Sequence, residues 1–134
     1  MILDKKIFAL GGSFIILMFG NDAITLNALC FLLYIMFFDI LTGFIKGNLM
    51  HVGKSETFFK GILKKILYFL CISFVIHVVT FYNLNSNISL GCISIFIMGE
   101  GYSVIENFIE MGVPVPEQIK KYFAVSNEVG NKNV

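Results

Sequence analysis

Five polar residues late in the chain are of types and spacing that could do chemistry: Glu100, Ser103, Glu106, Asn107 and Glu110. They sit in or just after an apolar run. On a helix, positions 100, 103, 107 and 110 fall on one stripe, because residues three and four apart stack on one face; Glu106 lies beside it. The run around them, 88–109, is about long enough to span a bilayer, which puts Glu100 close to the middle of the membrane. A charge at that depth costs about 2.5–3.5 kcal/mol on insertion scales, so such a residue faces protein or water. Three uses follow for a carboxylate so placed. It can line water in an assembled pore, carry a proton in a small transporter, or hold helices together in a structural or regulatory subunit.

The elements that must position this stripe are set by composition. The 134 residues are 57% hydrophobic and only 14% charged, with a mean hydropathy of +0.82. Soluble domains carry about 45–50% apolar and about 25% charged residues. A core of this size has no room for so much apolar surface, so the solvent for most of it is lipid. The expected fold is an all-α integral membrane protein with four hydrophobic helices over 7–20, 23–45, 58–82 and 88–110. The first is short for a span. Lys5 and Lys6 ahead of it also fit a signal peptide, but no small-residue cleavage site follows. Pro116 opens an amphipathic segment over 116–125, expected to lie in the interface with Glu117 and Lys121 as an i,i+4 pair. Residues 1–125 then form a single membrane domain, and 126–134 a flexible tail.

Charge placement orients these helices. All ten basic residues are lysines. With four crossings and both termini in the cytoplasm, every lysine falls on the cytoplasmic side, as the positive-inside rule favours. If the first run does not cross, Lys5 and Lys6 move outside. Asp39 falls near the cytoplasmic end of the second helix. It is expected to pair there with Lys60 or Lys64, in a cluster that includes Lys65. Gly43, Gly91, Gly99 and Gly101 are small enough to let another helix approach closely.

Much chemistry is not encoded. No HExxH, GxSxG, phosphate-binding loop or dinucleotide fingerprint is present. Cys30, Cys71 and Cys92 stand singly in apolar runs and read as small hydrophobes, not as ligands or a redox pair. His77 likewise has no sequence partner and reads as structural. No enzyme activity, cofactor or metal is expected. Neither is nucleic-acid binding, since the net charge is +1 and arginine is absent.

Two blocks of the chain resemble a known family. Asp39, Thr42, Gly43 and Lys46, followed by Ser55, Gly61, Lys64 and Lys65, are similar to the first motif block of the toxin-secretion/phage-lysis holins. Glu100, Ser103, Ile105, Glu106, Asn107, Gly112, Pro114 and Pro116 resemble their C-terminal block. The resemblance covers about residues 23–123. It implies a protein of the bacterial cytoplasmic membrane that forms homo-oligomers and makes lesions. Through these a large toxin, as in clostridial toxin loci, or a phage endolysin leaves the cytoplasm without a stable complex. Its partners would be membrane lipid and further copies of itself. An antiholin, or a proton-coupled transporter using Glu100, is the alternative.

Overall fold

A computed structural model of the chain describes residues 2–51 and 55–123. The expected tail over 126–134 lies outside them. The described residues form five helices: α1 (Ile2–Phe19), α2 (Ala23–Leu49), α3 (Ser55–Phe81), α4 (Asn87–Glu110) and the short α5 (Glu117–Tyr122). Three of these, α2, α3 and α4, are long and apolar enough to cross a membrane, while α1 contributes a shorter apolar stretch that includes Leu10–Phe19. Several bounds differ from those read in the sequence. Helix α1 starts earlier, α3 begins at Ser55, and α2 runs on past Ile45 to Leu49. The polar end of α2 stays helical because its side chains find helical partners: Asn48 Nδ2 donates to the Phe44 carbonyl at 2.9 Å, and Lys46 pairs with α4.

The helix ends have local causes. Asp22 caps α2, its Oδ2 accepting from the Thr25 amide at 2.8 Å and the Thr25 hydroxyl at 2.6 Å. These two donors hold the Asp22 carboxyl below the usual carboxylate range. Both α3 and α4 stop in Schellman turns. After α3, Asn83 sits at φ 51° and Leu84 N–H donates to the Val79 carbonyl at 2.8 Å. After α4, Gly112 sits at φ 77° and Val113 N–H donates to the Phe108 carbonyl at 2.9 Å. That left-handed residue reverses the chain and sends α5 back along α4.

Helix α2 packs most extensively on α4, and α3 closes the third side. One half of this bundle is dry and apolar. Leu29, Leu32 and Met36 of α2 meet Ile72 and Ile76 of α3 and Ile93 of α4, and Tyr68 stacks on Phe96 with centroids 4.3 Å apart. Among the described residues, helix α1 joins by its end, where Ser73 Oγ donates to the Met18 carbonyl at 2.9 Å and Phe19 meets Phe69 edge-on. The outside is apolar too. Phe31, Phe37, Phe44, Leu67, Phe74 and Ile95 are all more than half exposed, and no more than 33% of any spanning window is buried within the chain. Apolar surface on this scale requires lipid or further protein around it.

Candidate ion-paired site within the bundle

The other half of the bundle is built differently. On α2, positions 35, 39, 42 and 46 recur at helical spacing and turn Asp39, Thr42 and Lys46 towards α4. On α3, positions 65, 72, 76 and 79 share one buried face, so Lys65 points where Ile72, Ile76 and Val79 point. On α4 the buried positions include Glu100, Val104 and Asn107. The three faces meet with their polar members at one level. Asp39 lies ten residues before Leu49, Lys65 ten after Ser55, and Glu100 ten before Glu110. Each therefore sits about 15 Å from the same end of the bundle.

The Lys65 ammonium joins all three helices. Its Nζ donates to Asp39 Oδ2 at 2.8 Å and to the Glu100 carboxylate, from a side chain that is 11% exposed. Asn107 Nδ2 donates to Thr42 Oγ1 at 3.1 Å and to Asp39 Oδ1 at 3.3 Å. The Thr42 hydroxyl in turn donates to the Phe38 carbonyl at 2.8 Å. A layer nearer the helix ends adds the Lys46–Glu110 pair at 3.0 Å, with both side chains about a quarter exposed. Among the described residues no buried side-chain polar atom is left without a partner. This is the condition under which polar groups survive inside an apolar bundle. Two carboxylates share the one Lys65 ammonium here.

Above this network α2 and α3 splay apart. They leave an open cavity of about 620 Å³, lined by Asp39, Lys46, Lys65, Ser103 and Asn107 on one side and by Phe44 and Phe58 among others.

The stripe read from the sequence is divided by this arrangement. Glu100 and Asn107 are buried in the network, Ser103 lines the cavity, Glu110 pairs with Lys46, and Glu106 stands half-buried on the neighbouring face. The lysine partner of Asp39 differs from the expectation. Lys60 pairs with Glu56 one turn earlier at 2.7 Å, and the Lys64 ammonium sits 5.5 Å from the centroid of the Tyr68 ring. Consecutive helical positions are about 100° apart, so once Lys65 faces inward Lys64 is turned away from Asp39. The glycines also separate. A Cβ on Gly43 would meet Asn107 Nδ2 at 3.7 Å, an ordinary contact, and Gly101 carries the ring of Phe123. Gly91 and Gly99 are exposed, with no described atom beyond their own helix within reach of a Cβ. They bring no helix of the same subunit close. Lys46 and Thr42 had been noted only as parts of a motif. Thr42 lies three residues after Asp39 and Lys46 four after Thr42, and that spacing is the signal that puts all three on one face.

Two motif blocks from distant parts of the chain thus close on one another across the bundle. The sequence model of the bacteriophage holin family matches residues 13–128, which include every helix of this site. The chain belongs to the bacteriophage holin family. Among curated relatives, a protein of Bacillus phage phi105 named a probable holin is 31% identical over 81 residues, 60% of each chain. YqxH of Bacillus subtilis is 32% identical over 88 residues, 66% of this chain and 63% of YqxH. A 14.9 kDa protein in the nagH 3′ region of Clostridium perfringens is 34% identical over 91 residues, 67% of this chain and 69% of that protein. The chain thus spans somewhat less than two thirds of the first two of these. No solved structure matches it significantly. Membership and the three apolar helices together place the protein in a membrane.

Proposed function

We propose that this holin-family chain accumulates in the bacterial cytoplasmic membrane as an inserted subunit, then oligomerises into lesions that release a large toxin or a phage endolysin. The subunit crosses four times with both termini cytoplasmic, which keeps all its lysines on one side. The observation that carries the reading is the ion-paired network buried in a bundle whose exterior is apolar. A subunit that satisfies its own polar groups is compatible with an intact bilayer. The same groups can line water when the helices part.

In this mechanism the closed subunit holds Glu100, Asn107 and Glu110 against α2 and α3. On assembly these residues, with Ser103 and Glu106, exchange partners within the subunit for water and neighbouring copies. Asp39 and Lys65 fix how α2 and α3 pack beforehand, and Lys60 and Lys64 stay at the cytoplasmic side. Gly91 and Gly99, open on the outer face of α4, allow close approach between subunits. Lipid and further copies are the lasting partners, and the cargo passes through.

The test is release of a folded cytosolic reporter enzyme after induced expression of the chain alone, recorded beside membrane potential, with Glu100→Gln as the paired strain. Abrupt loss of potential with reporter release, shifted in onset by Glu100→Gln, is the expected result. Loss of potential with the reporter retained would replace lesions by a small ion pathway. No change with the protein in the membrane would make it a regulatory subunit or antiholin.

A further inference from the structure

The Gly101–Phe123 contact stands apart from the ion-paired network. Gly101 is buried on α4, about 100° round the helix from Glu100 and at nearly the same depth. The Phe123 ring fills the space a side chain at 101 would occupy: a Cβ there would lie 2.6 Å from Cδ1 and 2.7 Å from Cζ. Real Cβ atoms do not come that close, so with any side chain at 101 the Phe123 ring would have to leave its present place. Helix α5 itself buries no residue, and Ile119 and Tyr122 are 42% and 69% exposed. The ring at its end packs on α4 at Gly101.

The connection to α5 has reach. Gly112 and Val113 N–H groups are bonded to the last turn of α4, and residues 113–116, with prolines at 114 and 116, lead into α5. Four extended residues cover about 13 Å. Packed helix axes lie about 8–10 Å apart. The segment can therefore swing from its own α4 to that of an adjacent subunit without unwinding either helix.

We infer that the Gly101 notch is a self-recognition socket which, in assembled subunits, takes Phe123 from a second copy of this chain. Exchange of an identical element makes the same contact between subunits that is otherwise made within one. In a dilute membrane the intrachain contact wins, because its partner is tethered. As subunit density rises, mass action favours exchange, so the socket supplies a density-dependent link between copies. The inference deepens the lesion-forming reading and rests on it for its role in release.

The test uses two full-length variants with different tags, Gly101→Ala, which lacks the notch, and Phe123→Ala, which lacks the ring. Each is expressed alone and then together, and oligomers are cross-linked in the membrane. Each variant alone is expected to give about fivefold fewer dimers than the parent. Together they are expected to form heterodimers well above either homodimer level, because the ring of Gly101→Ala enters the intact notch of Phe123→Ala. Heterodimers no more abundant than the homodimers, or single variants that cross-link like the parent, would overturn the socket. Since Gly101→Ala can disturb α4 packing, recovery of cross-linking in the mixed membrane also reports that this variant is folded. Reporter release is scored separately. Complementation of cross-linking without lesions would reject the lesion reading and leave the socket standing, whereas lesions without complementation would do the reverse.

Discussion

The two halves of the α2–α3–α4 bundle solve the same packing problem by opposite means. Towards the α1 end of the bundle, Leu32, Ile72 and Ile93 are fully buried and the contacts are dispersion and ring stacking. Towards the α5 end, Asp39, Lys65, Glu100 and Asn107 hold the same three helices by directed bonds, and an open cavity adjoins them. Apolar contacts degrade gradually, since each atom pair gives only about 0.1–0.2 kcal/mol. An ion-paired junction does not, because removing one member strands the others in a medium that cannot solvate them. The dry half therefore tolerates gradual loss of contact, while the polar half fails abruptly when one member is lost. The proposed lesion-forming mechanism draws on both.

The largest effect expected from breaking the contrast is Lys65→Met, which leaves Asp39 and Glu100 facing each other without a cation. It should destabilise the solubilised subunit by about 3–5 kcal/mol in a denaturant titration. Adding Asp39→Asn and Glu100→Gln should recover most of that loss; a triple variant as weak as the single one would mean that Lys65 acts by packing. Next comes Leu32→Ala in the dry half. About 2 kcal/mol is expected, the low end for a buried leucine because lipid replaces water as the reference solvent, and the loss should not depend on pH. Asn107→Leu removes the bonds to Thr42 and Asp39 but strands no charge, so about 1–2 kcal/mol is expected by the same titration.

The smallest effect lies outside both halves, at the Asp22 cap. Its carboxyl is held below the usual carboxylate range in the folded chain. A depressed value means that the cap stabilises fully above the unfolded value and is lost as pH falls through the folded one. Protection of the Thr25 amide against hydrogen exchange, relative to its intrinsic rate at each pH, should therefore fall at acid pH below the usual carboxylate range. Asp22→Asn, which keeps a capping oxygen, should remove that pH dependence.

Much of this was legible in the residues. The three long helices declare themselves by length and hydropathy, and the α4 stripe by its three- and four-residue spacing. Lys65 as the partner of Asp39 was also readable, since it lies in register with Ile72, Ile76 and Val79 while Lys60 and Lys64 do not. Proximity to the membrane surface favoured the wrong lysines, because sequence position along α3 says nothing about rotation until the buried face is fixed. The Phe123–Gly101 contact was not readable. It depends on the chain reversing at Gly112, and a Schellman turn shows a change of direction but not where the next helix lands. For the same reason the two outward glycines, 91 and 99, could not be told from 43 and 101 by spacing alone.

In the proposed four-crossing topology the short apolar stretch of α1 acts on the bilayer as well as on the fold. Its apolar run, 7–19, has thirteen residues, which rise only about 20 Å against a hydrocarbon core of about 30 Å. A subunit inserted with α1 across the membrane therefore sits in a dimple of thinned lipid, while the far longer α3 beside it needs no thinning. Each ångström of mismatch costs a fraction of a kcal/mol, and two subunits that share a dimple deform less lipid than two apart. Bilayer elasticity then draws subunits together before any side chain touches. Thicker membranes should gather them at lower density than thin ones.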